Sequence, residues 1–208
     1  YYLTDEVSAV QGTNSAASLI LTNTANPDAE VTIKSDYPTV TKKIEEDDNG
    51  MGWNDVGDYE IGQTVPYYYS SIVPNMNGYD TYKYVFHDKM DEALTFHKDS
   101  VNVTISNGTK TYTLKNNEFE IVTDSGEDTF TVTISDLKSI VDRQFSEGFN
   151  NLNENAYGQT IHLSYNATLN EKASTRTGRG GFENAVRLEF SNNPDSDGVG
   201  STGTTPWD

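Results

Sequence analysis

A lysine and an aspartate fall on the inward faces of two strand-like segments. In the segment 40–44, the period-two alternation of a strand puts Lys42 on the apolar face and Lys43 on the opposite face. In the segment 82–88, Asp88 shares a face with aromatic side chains. An amine and a carboxyl group are therefore both expected to point into an aromatic interior.

The third group is an asparagine carboxamide near the end of the chain. In the segment 184–192, both Asn184 and Asn192 share the parity of the apolar positions, so alternation does not separate them. Burial favours a neutral Lys42 amine, which is a nucleophile, and a protonated Asp88, which can act as general acid and base. Attack on the carboxamide carbon then releases ammonia and leaves an amide cross-link. The pattern also fits a buried ion pair with a hydrogen-bonded asparagine, and alternation alone favours that simpler arrangement.

Composition excludes several other kinds of chemistry. The chain has 208 residues, 32 acidic against 14 basic side chains, a net charge of −18, no cysteine and three scattered histidines. This charge argues against nucleic-acid partners and against anionic membrane surfaces. The absence of cysteine excludes disulfides, thiol catalysis and cysteine-ligated metals. The acidic segments 45–48 and 195–198 could bind calcium, but solvated loops are the simpler interpretation. We therefore expect no cofactor and no metal.

The elements around these residues are typical of an all-β domain. Short strand patterns recur between turn signals, as in a sandwich, and the Asn107-Gly108 pair predicts a hairpin. One short helix is predicted over residues 136–145. We expect residues 1–37 to be the end of a preceding β domain with an inter-domain strand, 38–194 to be the sandwich, and 195–208 to be a linker to a following domain. The opening of the chain without a signal peptide and in mid-strand indicates a fragment of a longer protein, and no apolar run reaches membrane-span length.

Five segments, in order along residues 38–194, resemble motifs of one known family. The family is the isopeptide-forming second domain of sortase-assembled pilus backbone subunits (major pilins) of Gram-positive bacteria. The segments are YPTVTKKI at 37–44, DYEIGQTV at 58–65, FHDKM at 86–90 with ALTF at 93–96, YNATLN at 165–170, and LEFSNNP at 188–194. The resemblance implies an immunoglobulin-like β-sandwich of the collagen-adhesin type.

The resemblance also implies a spontaneous intramolecular bond between a lysine and an asparagine. By motif, the lysine is Lys42, the catalytic acid is Asp88 and the asparagine is Asn192. Asn184 remains the second candidate for the asparagine, and Asp91 is a weaker alternative for the acid.

A further lysine in such pilins is the one that sortase joins to the next subunit. Lys34 occupies the corresponding region, although the family's lysine follows a Tyr-Pro pair and Thr39 stands there in this sequence. The resemblance implies a structural, non-enzymatic subunit of an extracellular pilus anchored to the cell wall, with neighbouring pilin subunits as partners. Two other functions remain open: an adhesin domain that binds a host protein or glycan, and a calcium-dependent carbohydrate-active accessory domain.

Overall fold

The computed structural model describes residues 2–3, 18–19, 37–46, 52–146, 156–176, 181–192 and 202–208. The strands in this part of the chain are, in order, β1 (Tyr2–Leu3), β2 (Ser18–Leu19), β3 (Val40–Glu46), β4 (Gly52–Asn54), β5 (Thr64–Ile72), β6 (Tyr84–Met90), β7 (Leu94–Ser106), β8 (Thr111–Thr113), β9 (Glu120–Ser125), β10 (Asp128–Ile134), β11 (Thr160–Leu169), β12 (Asn184–Ser191) and β13 (Thr202–Thr204). One helix, α1 (Leu137–Gln144), follows β10. A short 3-10 helix (Glu171–Thr175) follows β11.

Two antiparallel sheets form the body of the protein. One has six strands in the order β4-β3-β5-β11-β7-β8, and the other has five in the order β13-β12-β6-β10-β9. The strands β1 and β2 pair with each other in a small sheet of their own. All pairings in these sheets are antiparallel. The first strand of the sandwich, β3, lies in the six-stranded sheet, and its last long strand, β12, lies in the five-stranded sheet.

The core lies between the two sheets because their strands alternate in burial. Along β11, every second residue is buried, and β5 shows the same pattern. The inward rows are rich in aromatic side chains, and Phe96 stacks on Phe130 across the sandwich with ring centroids 3.8 Å apart. The site described below lies among these aromatic rings.

The helix α1 forms where its sequence predicts. Asp136 is its N-cap, and the Asp136 carboxylate accepts a hydrogen bond of 3.1 Å from the Ser139 main-chain N–H. The helix buries Leu137, Ile140 and Val141 against the core. In the described part of the chain, no helix has the length and apolar character needed to cross a membrane.

The predicted fold class, an all-β immunoglobulin-like sandwich with one short helix, is confirmed. The hairpin at Asn107-Gly108 joins β7 to β8, with Gly108 at a φ of +89°. The sequence pattern predicts a single strand over residues 58–73, but the chain turns at Gly62, with a φ of +90°, and β5 begins only at Thr64.

The residues 202–208 also form structure that composition does not indicate. The strand β13 pairs with β12, and the following residues continue along the same edge. Asp208 exchanges main-chain hydrogen bonds with Val186, of 2.8 and 3.3 Å. A Gly- and Ser-rich composition predicts a linker, yet a short segment with free N–H and C=O groups can pair with any exposed strand edge.

Candidate functional site

Lys42 and Lys43 diverge as strand alternation predicts. The Lys42 side chain turns toward the interior, and its Nζ donates a hydrogen bond to the main-chain oxygen of Asn184. The Lys43 side chain points away, forms an ion pair of 2.6 Å with Asp55, and is 39% exposed. The amine of Lys42 therefore bridges β3 of one sheet and β12 of the other.

Asp88 lies in the centre of β6 and is fully buried. Burial raises the pKa of its carboxyl group to about 7, because an apolar environment disfavours the charged form. The Tyr69 and Tyr165 hydroxyls, the Asn184 carboxamide and the nearby positive charge of Lys42 each lower this pKa in part. Near neutral pH, the carboxyl group can therefore both give and accept a proton.

Asn184 is the first residue of β12 and is buried. Its Nδ2 donates hydrogen bonds to the hydroxyls of Tyr69, at 2.9 Å, and Tyr165, at 2.6 Å. Both hydroxyls also contact the same oxygen, Oδ2 of Asp88, and that of Tyr165 lies 2.7 Å away. The other oxygens, Oδ1 of Asp88 and Oδ1 of Asn184, are buried and lack a hydrogen-bond partner within the described residues.

Tyr69 and Tyr165 are the members of the site that the sequence reasoning missed. They lie on adjacent strands, β5 and β11, and their hydroxyl oxygens are 2.7 Å apart. Burial and the neighbouring Asp88 carboxylate raise the pKa of both hydroxyls well above the usual value, so both stay protonated. Alternation places both rings on inward faces, but it does not show that their hydroxyls meet.

The structure brings Lys42, Asp88 and Asn184 together, but it does not bring Asn192 to Lys42. Asn192 follows the last residue of β12, eight residues from Asn184, which corresponds to about 26 Å along an extended strand. Its Nδ2 lies instead beside Gly203 of β13. A lysine side chain that reaches Asn184 cannot span this distance.

The two remaining candidate residues do not join this cluster. Asp91 accepts a hydrogen bond of 2.5 Å from Arg176 and another of 2.8 Å from the Ala93 N–H, in an ion pair at the surface. Lys34 lies outside the described residues. Its proposed linkage to another subunit stays a prediction.

A surface cleft of about 570 Å³ opens over Lys42 and Asn184. The apolar side chains that line it belong to Ile44, Val56, Tyr67, Phe182 and Trp207. At its edge, the Asp208 carboxylate accepts a hydrogen bond of 3.2 Å from the Lys42 main-chain N–H.

The ionisable groups elsewhere form ion pairs rather than a metal site. His87 contacts Asp128 at 2.7 Å and Glu189 at 3.1 Å on the outer face of the five-stranded sheet. Across the ranges that the structure describes, no group of three or more His, Asp or Glu side chains is arranged to hold a metal ion. Most of the acidic segments 45–48 and 195–198 lies outside those ranges.

No protein-family model and no curated protein matches the chain. The chain does match several solved structures. The full-length major pilin SpaD from Corynebacterium diphtheriae matches with a TM-score of 0.51 and 15% identity, over 81% of this chain and 33% of that one. A variant of BcpA, the major pilin subunit of Bacillus cereus, matches with a TM-score of 0.50 and 18% identity, over 81% of this chain and 38% of that one.

The pilus backbone protein RrgB from Streptococcus pneumoniae matches with a TM-score of 0.47 and 22% identity, over 74% of this chain and 54% of that one. The chain thus spans about half or less of the length of these proteins. At such identities, the similarity to SpaD and BcpA concerns the fold. The chain therefore has the immunoglobulin-like sandwich fold found in these Gram-positive major pilins.

Proposed function

We propose that this chain is a structural domain of a Gram-positive surface pilus, stabilised by an amide bond between Nζ of Lys42 and Cγ of Asn184. The observation that carries the proposal is the buried cluster itself. The Lys42 amine bonds to the main-chain oxygen of Asn184 where the first and last long strands of the sandwich approach each other. The Asn184 carboxamide and the Asp88 carboxyl group share the hydroxyls of Tyr69 and Tyr165 beside it. The pilin-like fold supports the same function.

The reaction needs no cofactor. The neutral Lys42 amine attacks Cγ of Asn184, the Nζ–Cγ bond forms, and the Cγ–Nδ2 bond breaks. One proton leaves Nζ and one proton joins Nδ2, which departs as ammonia. Asp88 accepts the first proton and supplies the second, so its protonation state is the same before and after the reaction.

The apolar surroundings favour the protonated form of the Asp88 carboxyl group. An ammonium facing a carboxylate and an amine facing a carboxylic acid hold the same number of protons. Burial disfavours the charged pair, and the pKa of Asp88, at about 7, reflects this cost. The nucleophile is thus generated without any external base.

The position of the bond fits a load-bearing role. Lys42 and Asn184 are 142 residues apart, so the amide closes almost the whole sandwich into one covalent loop. A pull on the chain before Lys42 and after Asn184 then passes through the amide and not through the strands between them. We further propose that sortase joins the subunits through Lys34 and that the assembled pilus is attached to the cell wall.

Mass spectrometry of the intact folded protein tests the proposal. The wild-type protein is expected to be lighter than its sequence by one ammonia, and a proteolytic digest should contain a branched peptide joining Lys42 to Asn184. The variants Lys42→Ala and Asn184→Ala should have their full sequence masses. The matched control, Asn192→Ala, should still lose ammonia. A folded wild-type protein with its full sequence mass refutes the cross-link.

A further inference from the structure

The leaving nitrogen and the catalytic carboxyl group are joined through two tyrosine hydroxyls. Nδ2 of Asn184 has two N–H groups, and one donates to each hydroxyl, at 2.9 Å for Tyr69 and 2.6 Å for Tyr165. Each hydroxyl has one proton, and both contact Oδ2 of Asp88 as donors. The hydrogen bonds therefore run from Nδ2 through two parallel hydroxyls to one carboxyl oxygen.

This arrangement also fixes which way the carboxamide faces. Both donors of Nδ2 are used by the hydroxyls, so Oδ1 of Asn184 must point elsewhere. Oδ1 of Asn184 and Oδ1 of Asp88 are the two buried oxygens of the cluster without a partner among the described residues. A proton on Oδ1 of Asp88 is the donor that Oδ1 of Asn184 lacks, and that donation makes Cγ more electrophilic.

We infer that Tyr69 and Tyr165 are catalytic residues of the cross-linking reaction, and that they carry the proton from Asp88 to the departing nitrogen of Asn184. This inference rests on the proposed function. It adds two groups that touch a reacting atom, and it explains why a buried aromatic core contains two paired hydroxyls.

The proton transfer balances at each step. As Nζ of Lys42 bonds to Cγ, Oδ1 of Asp88 gives its proton to Oδ1 of Asn184, and Oδ2 of Asp88 takes a proton from Nζ. As the Cγ–Nδ2 bond breaks, one hydroxyl gives its proton to Nδ2 and takes the proton from Oδ2 of Asp88, and Oδ1 of Asn184 returns its proton to Oδ1 of Asp88. The products are the amide and ammonia, and both tyrosines and Asp88 end in their starting forms.

The environment suits the hydroxyls to this role. Burial and the Asp88 carboxylate hold the pKa values of both hydroxyls well above the usual value, so each proton is in place when it is needed. Packing fixes both rings, since Tyr67 stacks on Tyr165 at 5.2 Å and the Tyr69 ring meets the Tyr165 ring edge-on at 5.5 Å. A Tyr→Phe change therefore removes the hydroxyl and leaves the ring packing intact.

The test follows cross-link formation in the variants Tyr69→Phe, Tyr165→Phe and the double variant. Tyr84→Phe is the matched control, because Tyr84 is equally buried and its hydroxyl bonds to Ser71, at 2.7 Å, outside the cluster. Each protein is recovered from inclusion bodies in urea, and its full sequence mass is checked. It is then refolded by dilution, and the reaction is quenched with acid at set times. Mass spectrometry of each sample measures the fraction of protein that has lost one ammonia.

Each single variant is expected to react about 10-fold more slowly than the wild type, because one hydroxyl route remains. The double variant should react at least about 100-fold more slowly, which is the usual scale of general acid catalysis. The control should react at the wild-type rate. A wild-type rate in the double variant overturns the inference, whereas a wild-type protein that never loses ammonia overturns the proposed function instead.

The pH dependence of the single variants separates catalysis from support of the fold. Asp88 faces Tyr69 and Tyr67 of β5, Tyr165 of β11, Asn184 of β12 and Lys42 of β3. When Lys42 and Asp88 are both protonated, the pair holds one proton too many for the reaction to start. The rate should therefore fall at low pH, as the pH drops below the pKa of Asp88. Because each hydroxyl lowers that pKa, its removal should move the acidic limb of the pH–rate profile to higher pH. Folded single variants that are slower but keep the wild-type profile contradict the inference.

Discussion

Replacing Lys42 with methionine should remove the cross-link and little else. Methionine keeps an unbranched apolar chain of similar length, so the packing of the lysine stem is largely retained, but it has no nucleophile. Lys43→Met is the matched control. It changes the adjacent residue in the same way, on the opposite face of β3, where the lysine forms an exposed ion pair with Asp55.

The size of the effect follows from the loop that the bond closes. Lys42 and Asn184 are 142 residues apart, and the chain-entropy model for a cross-link gives about 5 kcal/mol for a loop of this length. For a domain of this size, about 1 kcal/mol corresponds to a change of about 2–4 °C in Tm, so Lys42→Met should lower Tm by about 10–20 °C. Loss of the exposed ion pair in Lys43→Met should change stability by less than about 1 kcal/mol.

The assay is calorimetric unfolding at pH 5, with the mass of each sample measured first. Asp88 has a folded-state pKa of about 7, so at pH 5 its carboxyl group is neutral in the folded protein. Removal of the Lys42 charge then leaves no unpaired carboxylate in the core, and the measured difference reports the cross-link. If the wild-type protein carries the bond and the two methionine variants melt within a few degrees of each other, the stabilising role of the bond is refuted.

Two further predictions concern the surroundings of the site. Hydrogen bonds from His87 and Lys83 lower the pKa of Glu189 from 4.5 to about 2, so its ionised form stabilises the fold above pH 4.5 and this contribution is lost as pH falls toward 2. Glu189→Gln should cost about 1 kcal/mol in urea unfolding at pH 7 and less than about half of that at pH 3; an equal cost at both pH values contradicts the assignment. Asp136→Ala removes the N-cap of α1 and should cost about 1 kcal/mol, and an unchanged urea midpoint argues against the cap.

Local pattern was sufficient for the sandwich and for part of the site. Period-two alternation separated Lys42 from Lys43 and placed Asp88 inside, because a strand buries every second residue regardless of what lies opposite. The helix and its Asp136 cap follow from equally local signals. These features depend on residues within a few positions of each other, which a single sequence displays directly.

Long-range geometry was beyond the same reasoning. Asn184 and Asn192 have the same parity, so alternation does not indicate which end of β12 lies near Lys42. The meeting of Tyr69 and Tyr165 depends on the register between β5 and β11, which are far apart in sequence. The strand β13 pairs with β12 because β12 has a free edge. The sequence of neither strand indicates that β12 has such an edge.

The register of β3 indicates what the proposed covalent bond at Lys42 would add to the fold. From Val40 to Ile44, β3 pairs with β5 on one side, while its ladder to β4 begins only at Ile44. At Lys42 the outer main-chain N–H is bonded to the Asp208 side chain and not to a strand. Tension on the chain before Val40 would therefore strip β3 from a single ladder, one hydrogen bond at a time. Since β3 and β12 lie in different sheets, no backbone ladder passes that load between them, and the proposed amide between Lys42 and Asn184 would be a direct covalent path.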